Sequence, residues 1–269
     1  MARAPHPVAL LAVLIGCGTP ISPPDHPPPA NAHPPPASAG AARPAHAGLL
    51  AALGEDAPAA FLTEPRVLHA QLDGEGPMEA VLLGRVAGDT FGDHPFTPPE
   101  HGATDHLWVF RRTEDGWSVA GHRAFDATND AGTLDYEAGV TSVRAEALLG
   151  PDHHVLVVTS EQGRGDVDPR WVRQLTELYG LEPSGLRRLF ACATLDETVS
   201  GPARAGTRVT RQITLRAGPP PTIAVTGSTV EHGGVLDDES ATSQPQRFAG
   251  DYRLGAEGFE PAGETEACE

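Results

Sequence analysis

Three histidines and three acidic residues fall within the fourteen positions from Asp93 to His106. Imidazole and carboxylate are ligands that zinc and other transition ions take. His94, His101 and His106 therefore form a candidate transition-metal set. Their spacing is that of a loop, stiffened by proline, rather than of one helix face or one strand. A hydrolase working through such an ion is one function that these residue types could support. The rest of the chain narrows the chemistry. It contains no lysine, so all 19 basic residues are arginine. Schiff-base chemistry on lysine, a phosphate loop with lysine and a Ser–Lys dyad are thereby excluded. No Gly-x-Ser-x-Gly nucleophile elbow occurs. Ser160 has no histidine placed beside it by a motif, and no residue is assigned a catalytic role. His153 and His154 are adjacent, so on a strand they point to opposite faces and make poor co-ligands. Arg164–Gly165–Asp166 is a short loop tripeptide. Trp108, Trp117 and Trp171 sit in strand-like runs and read as core.

Those residues need a scaffold, and the periodicity points to strands. Gly48–Leu49–Leu50–Ala51–Ala52–Leu53–Gly54 reads as a short helix ended by glycine. Beyond it, three segments begin with valine and return to an aliphatic residue fourteen positions later: Val67 to Val81, Val143 to Val157, and Val209 to Ile223. Turn residues lie between each pair: Asp73–Gly74–Glu75–Gly76–Pro77, Gly150–Pro151–Asp152, and Gly218–Pro219–Pro220–Pro221. Each turn is flanked by apolar, β-favouring runs, which predicts three hairpins. A second landmark follows each hairpin, with an aromatic residue six positions before glycine and a large apolar residue. These are Phe110 with Gly116–Trp117, Tyr179 with Gly185–Leu186, and Tyr252 with Gly258–Phe259. Glycine supplies the positive φ that tight hairpins often need. The expectation is an all-β domain over 48–269, with about twelve strands in three repeated four-stranded units. The units are placed at about 66–123, 140–191 and 207–262, with variable loops at about 87–105, 161–170 and 228–245. They would form either a propeller-like arrangement or a sandwich.

The run Leu72–Asp73–Gly74–Glu75–Gly76–Pro77–Met78–Glu79–Ala80–Val81 resembles the core of FG-GAP and VCBS-type repeats, which form four-stranded propeller blades. The acidic loop of those families often holds calcium. The resemblance implies that Asp73, Glu75 and Glu79 would offer oxygens to that hard cation. The departures are that the family's leading acid falls on Gln71 and its central aspartate on Glu75. The corresponding turns of the second and third units lack the acids, so a plain β-turn is the competing reading.

The amino-terminal stretch bears on location. Val8 to Gly16 is a nine-residue apolar run that ends at Cys17, preceded by Arg3 and the amino terminus as positive charges. A spanning helix needs about 20 apolar residues, whereas nine suits the apolar core of a signal peptide. Leu14–Ile15–Gly16–Cys17 resembles the lipobox of bacterial lipoproteins. The resemblance implies cleavage after residue 16, acylation of Cys17 and anchoring to membrane lipid, with each buried methylene contributing about 0.8 kcal/mol. Gly18, in place of aspartate, implies the outer membrane. Residues 17–47 then form a lipidated cysteine and a disordered tether rich in proline and alanine. In polyproline geometry, at about 3.1 Å per residue, its reach is roughly 90 Å. Once Cys17 is lipidated, Cys192 and Cys268 are the remaining thiols. An even pair in an exported chain predicts a disulfide; a buried free Cys192 with Cys268 paired to another molecule is the alternative.

The formal net charge is −17, and residues 231–269 hold ten acidic residues against Arg247 and Arg253. Such a surface repels phosphate backbones, which argues against nucleic acid as a partner. The expected function is a lipid-anchored envelope module that contacts a protein or glycan, more a binder than an enzyme, with no cofactor beyond the calcium considered above. The alternatives are the metal-dependent hydrolase and an acidic accessory protein for envelope assembly.

Overall fold

The computed structural model describes residues 46–58, 61–86, 103–125, 137–164, 170–200, 205–233, 244–263 and 267–268. The lipobox with Cys17 and nearly all of the proline-rich stretch lie outside the described residues, as do His94 and His101.

The described chain is all-β apart from one short helix. Helix α1 spans Ala47–Leu53 and continues as a 3-10 turn over Gly54–Asp56. Twelve described strands follow. The first four are β1 (Arg66–Ala70), β2 (Glu79–Val86), β3 (Thr104–Thr113) and β4 (Gly116–Phe125). Next come β5 (Glu137–Gly150), β6 (His153–Arg164), β7 (Arg170–Glu182) and β8 (Gly185–Ser200). The last are β9 (Ala205–Arg216), β10 (Thr222–His232), β11 (Gln246–Leu254) and β12 (Phe259–Pro261). All pair antiparallel with their sequence neighbours, in a four-stranded sheet β1-β2-β3-β4 and an eight-stranded sheet from β5 to β12. Neither closes into a barrel.

The hairpin turns fall where turn chemistry placed them, at 71–78, 151–152 and 217–221. Gly116, Gly185 and Gly258 open the return strands of three further hairpins with φ of 135°, 124° and 138°. Side chains rarely adopt that region, which explains glycine at all three positions. Several strands run further than expected. β6 reaches Arg164 and β10 reaches His232, each into a stretch expected to be loop, and β8 runs to Ser200, past the expected end of the second unit at about 191. The reason is pairing: Leu195–Ser200 bonds to β7 on one side and to Thr210–Ala205 of β9 on the other.

Three apolar layers organise the packing. Leu49 and Leu53 of α1 cover Ala80, Leu82, Trp108 and Phe110 on one face of the four-stranded sheet. Its other face, Val81, Leu83, Leu107 and Val109, packs on Leu156, Val158, Tyr179 and Leu181 of β6 and β7. The opposite face of those strands, with Val155, Val157 and Leu178, joins Phe190 of β8 and packs on Ile223, Val225, Tyr252 and Phe259 of β10–β12. The eight-stranded sheet therefore doubles back on itself. Only residues 205–210 of β9 pair with β8. Beyond them β9 stays with β10 and carries β10–β12 over the middle strands. β6 and β7 are buried on both faces, which is why Val155–Val158 is an unbroken apolar run. The far face of the third layer is polar and exposed, with Arg247, Asp251 and Arg253. An Arg216–Asp251 ion pair at 3.8 Å lies on it.

Candidate functional site

The acidic turn between β1 and β2 is built from its own side chains. Asp73 accepts the Glu75 backbone N–H at 3.0 Å, and Gln71 Nε2 donates to the Glu75 carbonyl at 2.5 Å. Glu79 is 1% exposed, and its Oε2 accepts the Leu72 N–H at 2.7 Å. Two of the three carboxylates predicted as oxygen donors, Asp73 and Glu79, converge, and the guanidinium of Arg111 lies against them. Arg111 Nε is 3.1 Å from Asp73 Oδ2 and 4.0 Å from Glu79 Oε1. Glu75 is exposed and is tied to this turn through its backbone. Burial raises the Glu79 carboxyl above its ordinary range, and the neighbouring Asp73 charge adds to this. Burial also pushes Asp73 upward. Its bonds to the Glu75 N–H and to Glu79, together with Arg111, outweigh that and leave Asp73 below its usual value. The turn touches the next layer. His154 donates its backbone N–H to the Gln71 carbonyl at 2.7 Å, and the His153 ring lies over Gly74.

On the outer face of the four-stranded sheet, beside α1, a second cluster forms. Trp108 of β3 is the cross-strand partner of His122 of β4, and His106 lies two residues before Trp108 on the same face. His106 Nδ1 and His122 Nε2 are 2.9 Å apart. The ring planes differ by 9°, with centres 5.2 Å apart. That separation is about the nitrogen–nitrogen distance plus one ring radius on each side. The imidazoles therefore meet end to end in nearly one plane, sharing one hydrogen bond. The Trp108 indole is near-parallel to both, at 5.1 Å and 5.4 Å. Phe61 meets the same indole edge-on at 6.1 Å. Burial lowers the His122 pKa from its ordinary value, and the Asp56 carboxylate partly opposes this. Of the predicted set only His106 is described, and the partner beside it is His122. Nothing in local spacing marks His122, because the pairing depends on the β3–β4 register and on the irregularity at Val109/Phe110.

Between the first and second layers sits a buried glutamate paired with an exposed arginine. Glu177 accepts Arg188 Nη1 at 3.0 Å, with the glutamate side chain 3% exposed. Tyr179, two residues along β7, has a buried hydroxyl without a well-formed hydrogen bond. Burial first, and the Glu177 carboxylate second, push that phenol far above its ordinary pKa. The Phe125 ring meets Tyr179 edge-on at 6.4 Å, and the Arg123 guanidinium lies 5.8 Å from the Phe125 ring centre.

Cys192 and Cys268 are joined, with Cα atoms 4.9 Å apart. Arg211 fastens the same tail: its guanidinium donates to the carbonyls of Ala267 and, at 2.9 Å, Ala193. It also lies 5.3 Å from the Phe248 ring centre. Among the described residues no group of three or more His, Cys, Asp or Glu side chains is placed to hold a metal ion. No helix among them is long and apolar enough to cross a membrane. No protein-family model, no curated protein and no solved structure matches this chain.

Proposed function

We propose that this chain is a lipid-anchored protein of the bacterial cell envelope, in which a layered β-domain stands off the membrane on a proline-rich tether and contacts an envelope protein or glycan. The observation that carries the reading is the apolar run from Val8 to Gly16 closing on Cys17. The Cys192–Cys268 bond supports it, because structural disulfides persist in oxidising compartments such as the periplasm or the cell surface. In this reading the outer membrane is the destination, on the strength of Gly18. The module binds rather than catalyses.

The three pairs of hairpins are read as three copies of one unit, stacked face on face like consecutive blades. Glycine at the same place in each second hairpin supports this. The continuous pairing of β8 with β9 departs from separate blades. A calcium ion at Asp73, Glu75 and Glu79 belongs to the same analogy. To bind there it has to displace Arg111 from the two carboxylates it bridges.

Metabolic labelling with an alkyne-tagged fatty acid tests the anchor. The full chain expressed in a Gram-negative host should take up label and sediment with membranes. Cys17→Ser should lose the label and accumulate as the longer precursor. Equal labelling of Cys17→Ser, or an unlabelled wild-type chain, would overturn the reading.

A further inference from the structure

We propose that His106 and His122 form a two-imidazole binding site for a first-row transition-metal ion, with copper(II) as the preferred guest. The geometry begins with the spacing. Two nitrogens each about 2.1 Å from one ion lie about 3.0 Å apart when they are cis at a right angle, and about 3.4 Å apart in a tetrahedron. The observed separation is 2.9 Å. It is the length of the hydrogen bond itself, close enough to about 3.0 Å that a turn of each ring brings both nitrogens to one ion without moving the strands. Copper(II) is the preferred guest because it binds imidazole more tightly than either neighbour in the series. In the metal-free pair one N–H bridges the two nitrogens. On binding, the donor ring moves its proton to its other nitrogen, and each ring turns so that both lone pairs face the ion. No net proton need leave a neutral pair.

The surroundings favour a cation. The exposed Asp56 carboxylate acts on His122 from the 3-10 turn packed beside this face. The strands fix the backbone from which the rings project: His122 is held by the β3–β4 pairing, and Trp108, which is 6% exposed, lies against both rings. A chelating pair on two paired strands loses little freedom on binding, unlike histidines on a tether. The site is independent of the membrane anchor, so it stands or falls apart from the function proposed above.

Trp108 makes the site visible. Copper(II) chloride titrated into the full chain should quench tryptophan fluorescence with saturation at one equivalent. In Trp108→Phe most of that quench should vanish while one equivalent still binds by calorimetry. His122→Gln and His106→Gln should each weaken the one-equivalent event at least about tenfold. His69→Gln, beside Trp117 on another strand, should leave it unchanged. Undiminished one-equivalent binding in His122→Gln would overturn the proposal. Electron paramagnetic resonance of the wild-type one-to-one complex provides a readout that does not depend on a variant folding. Two equatorial imidazole nitrogens are expected, and a spectrum without them would also overturn it.

Discussion

Glu79 and Asp73 lie against one guanidinium, and their proton affinities are driven apart. The first proton to arrive on acidification goes to Glu79. A carboxyl whose folded pKa is raised contributes stability at low pH and loses it as pH rises through the raised value. Asp73, with its pKa lowered, does the opposite and contributes stability until pH falls through its depressed value. Glu79→Gln keeps an oxygen for the Leu72 N–H and removes the titration. Its melting temperature should match or exceed that of the wild type at pH 7, and the difference should move in favour of the wild type as pH falls towards 5. Thermal scans across that range check the sign. Arg111→Gln removes the shared partner and should cost about 1–3 kcal/mol. The same residue decides the calcium question. Millimolar calcium should raise the melting temperature of Arg111→Gln more than that of the wild type, if the converging carboxylates accept the ion at all. Equal, null responses in both proteins would remove calcium from this turn.

At the scale of elements, the turn chemistry was the legible part. Gly74 and Gly76, Pro151, and the Pro219–Pro221 run mark three hairpins, and glycine before a large apolar residue marks three more. Gly258 shows how firmly this is set. Its φ is 138°, and an added Cβ would stand 2.5 Å from the Leu189 carbonyl oxygen. Gly258→Ala should therefore destabilise by about 1–3 kcal/mol, read by chemical denaturation. Less legible was where strands end. Leu195–Ser200 carries Asp196, Glu197 and Thr198 and falls between the expected units at 140–191 and 207–262. It is strand because β7 and β9 satisfy its backbone on both sides. The pairing of His106 with His122 was illegible for a related reason. A diagonal contact across two strands depends on register, and the irregularity at Val109/Phe110 shifts that register by one residue. A slip of that size exchanges the two faces of a strand, so no spacing rule along the chain could have selected His122.

Over the whole described domain, the middle layer depends on both its neighbours. Val155 and Val157 face one way, Leu156 and Val158 the other. Removing either outer layer would expose an apolar face, so truncations at about residue 130 or 205 should give insoluble or molten fragments rather than autonomous pieces. The Cys192–Cys268 bond ties the second and third layers covalently over a separation of 76 residues. Cys192→Ser together with Cys268→Ser should lower stability by about 2–5 kcal/mol. The loss should be equalled by reducing the wild type, which separates loss of the bond from loss of packing by Cys192.

That bond also orders events in time. Ribosomes deliver the chain from its amino terminus, so Cys192 emerges long before its partner, which follows all four strands of the third layer. Through that interval Cys192 is a thiol with no correct mate within the domain, destined for a position 1% exposed. The crosslink can close only when β9–β12 have arrived and Ala267 has settled against the layer that holds Cys192. It acts as a completion mark. A chain halted early keeps an exposed, oxidisable sulfur, and a chain that finishes hides it, which gives any surveillance by thiol oxidoreductases a direct way to tell the two apart.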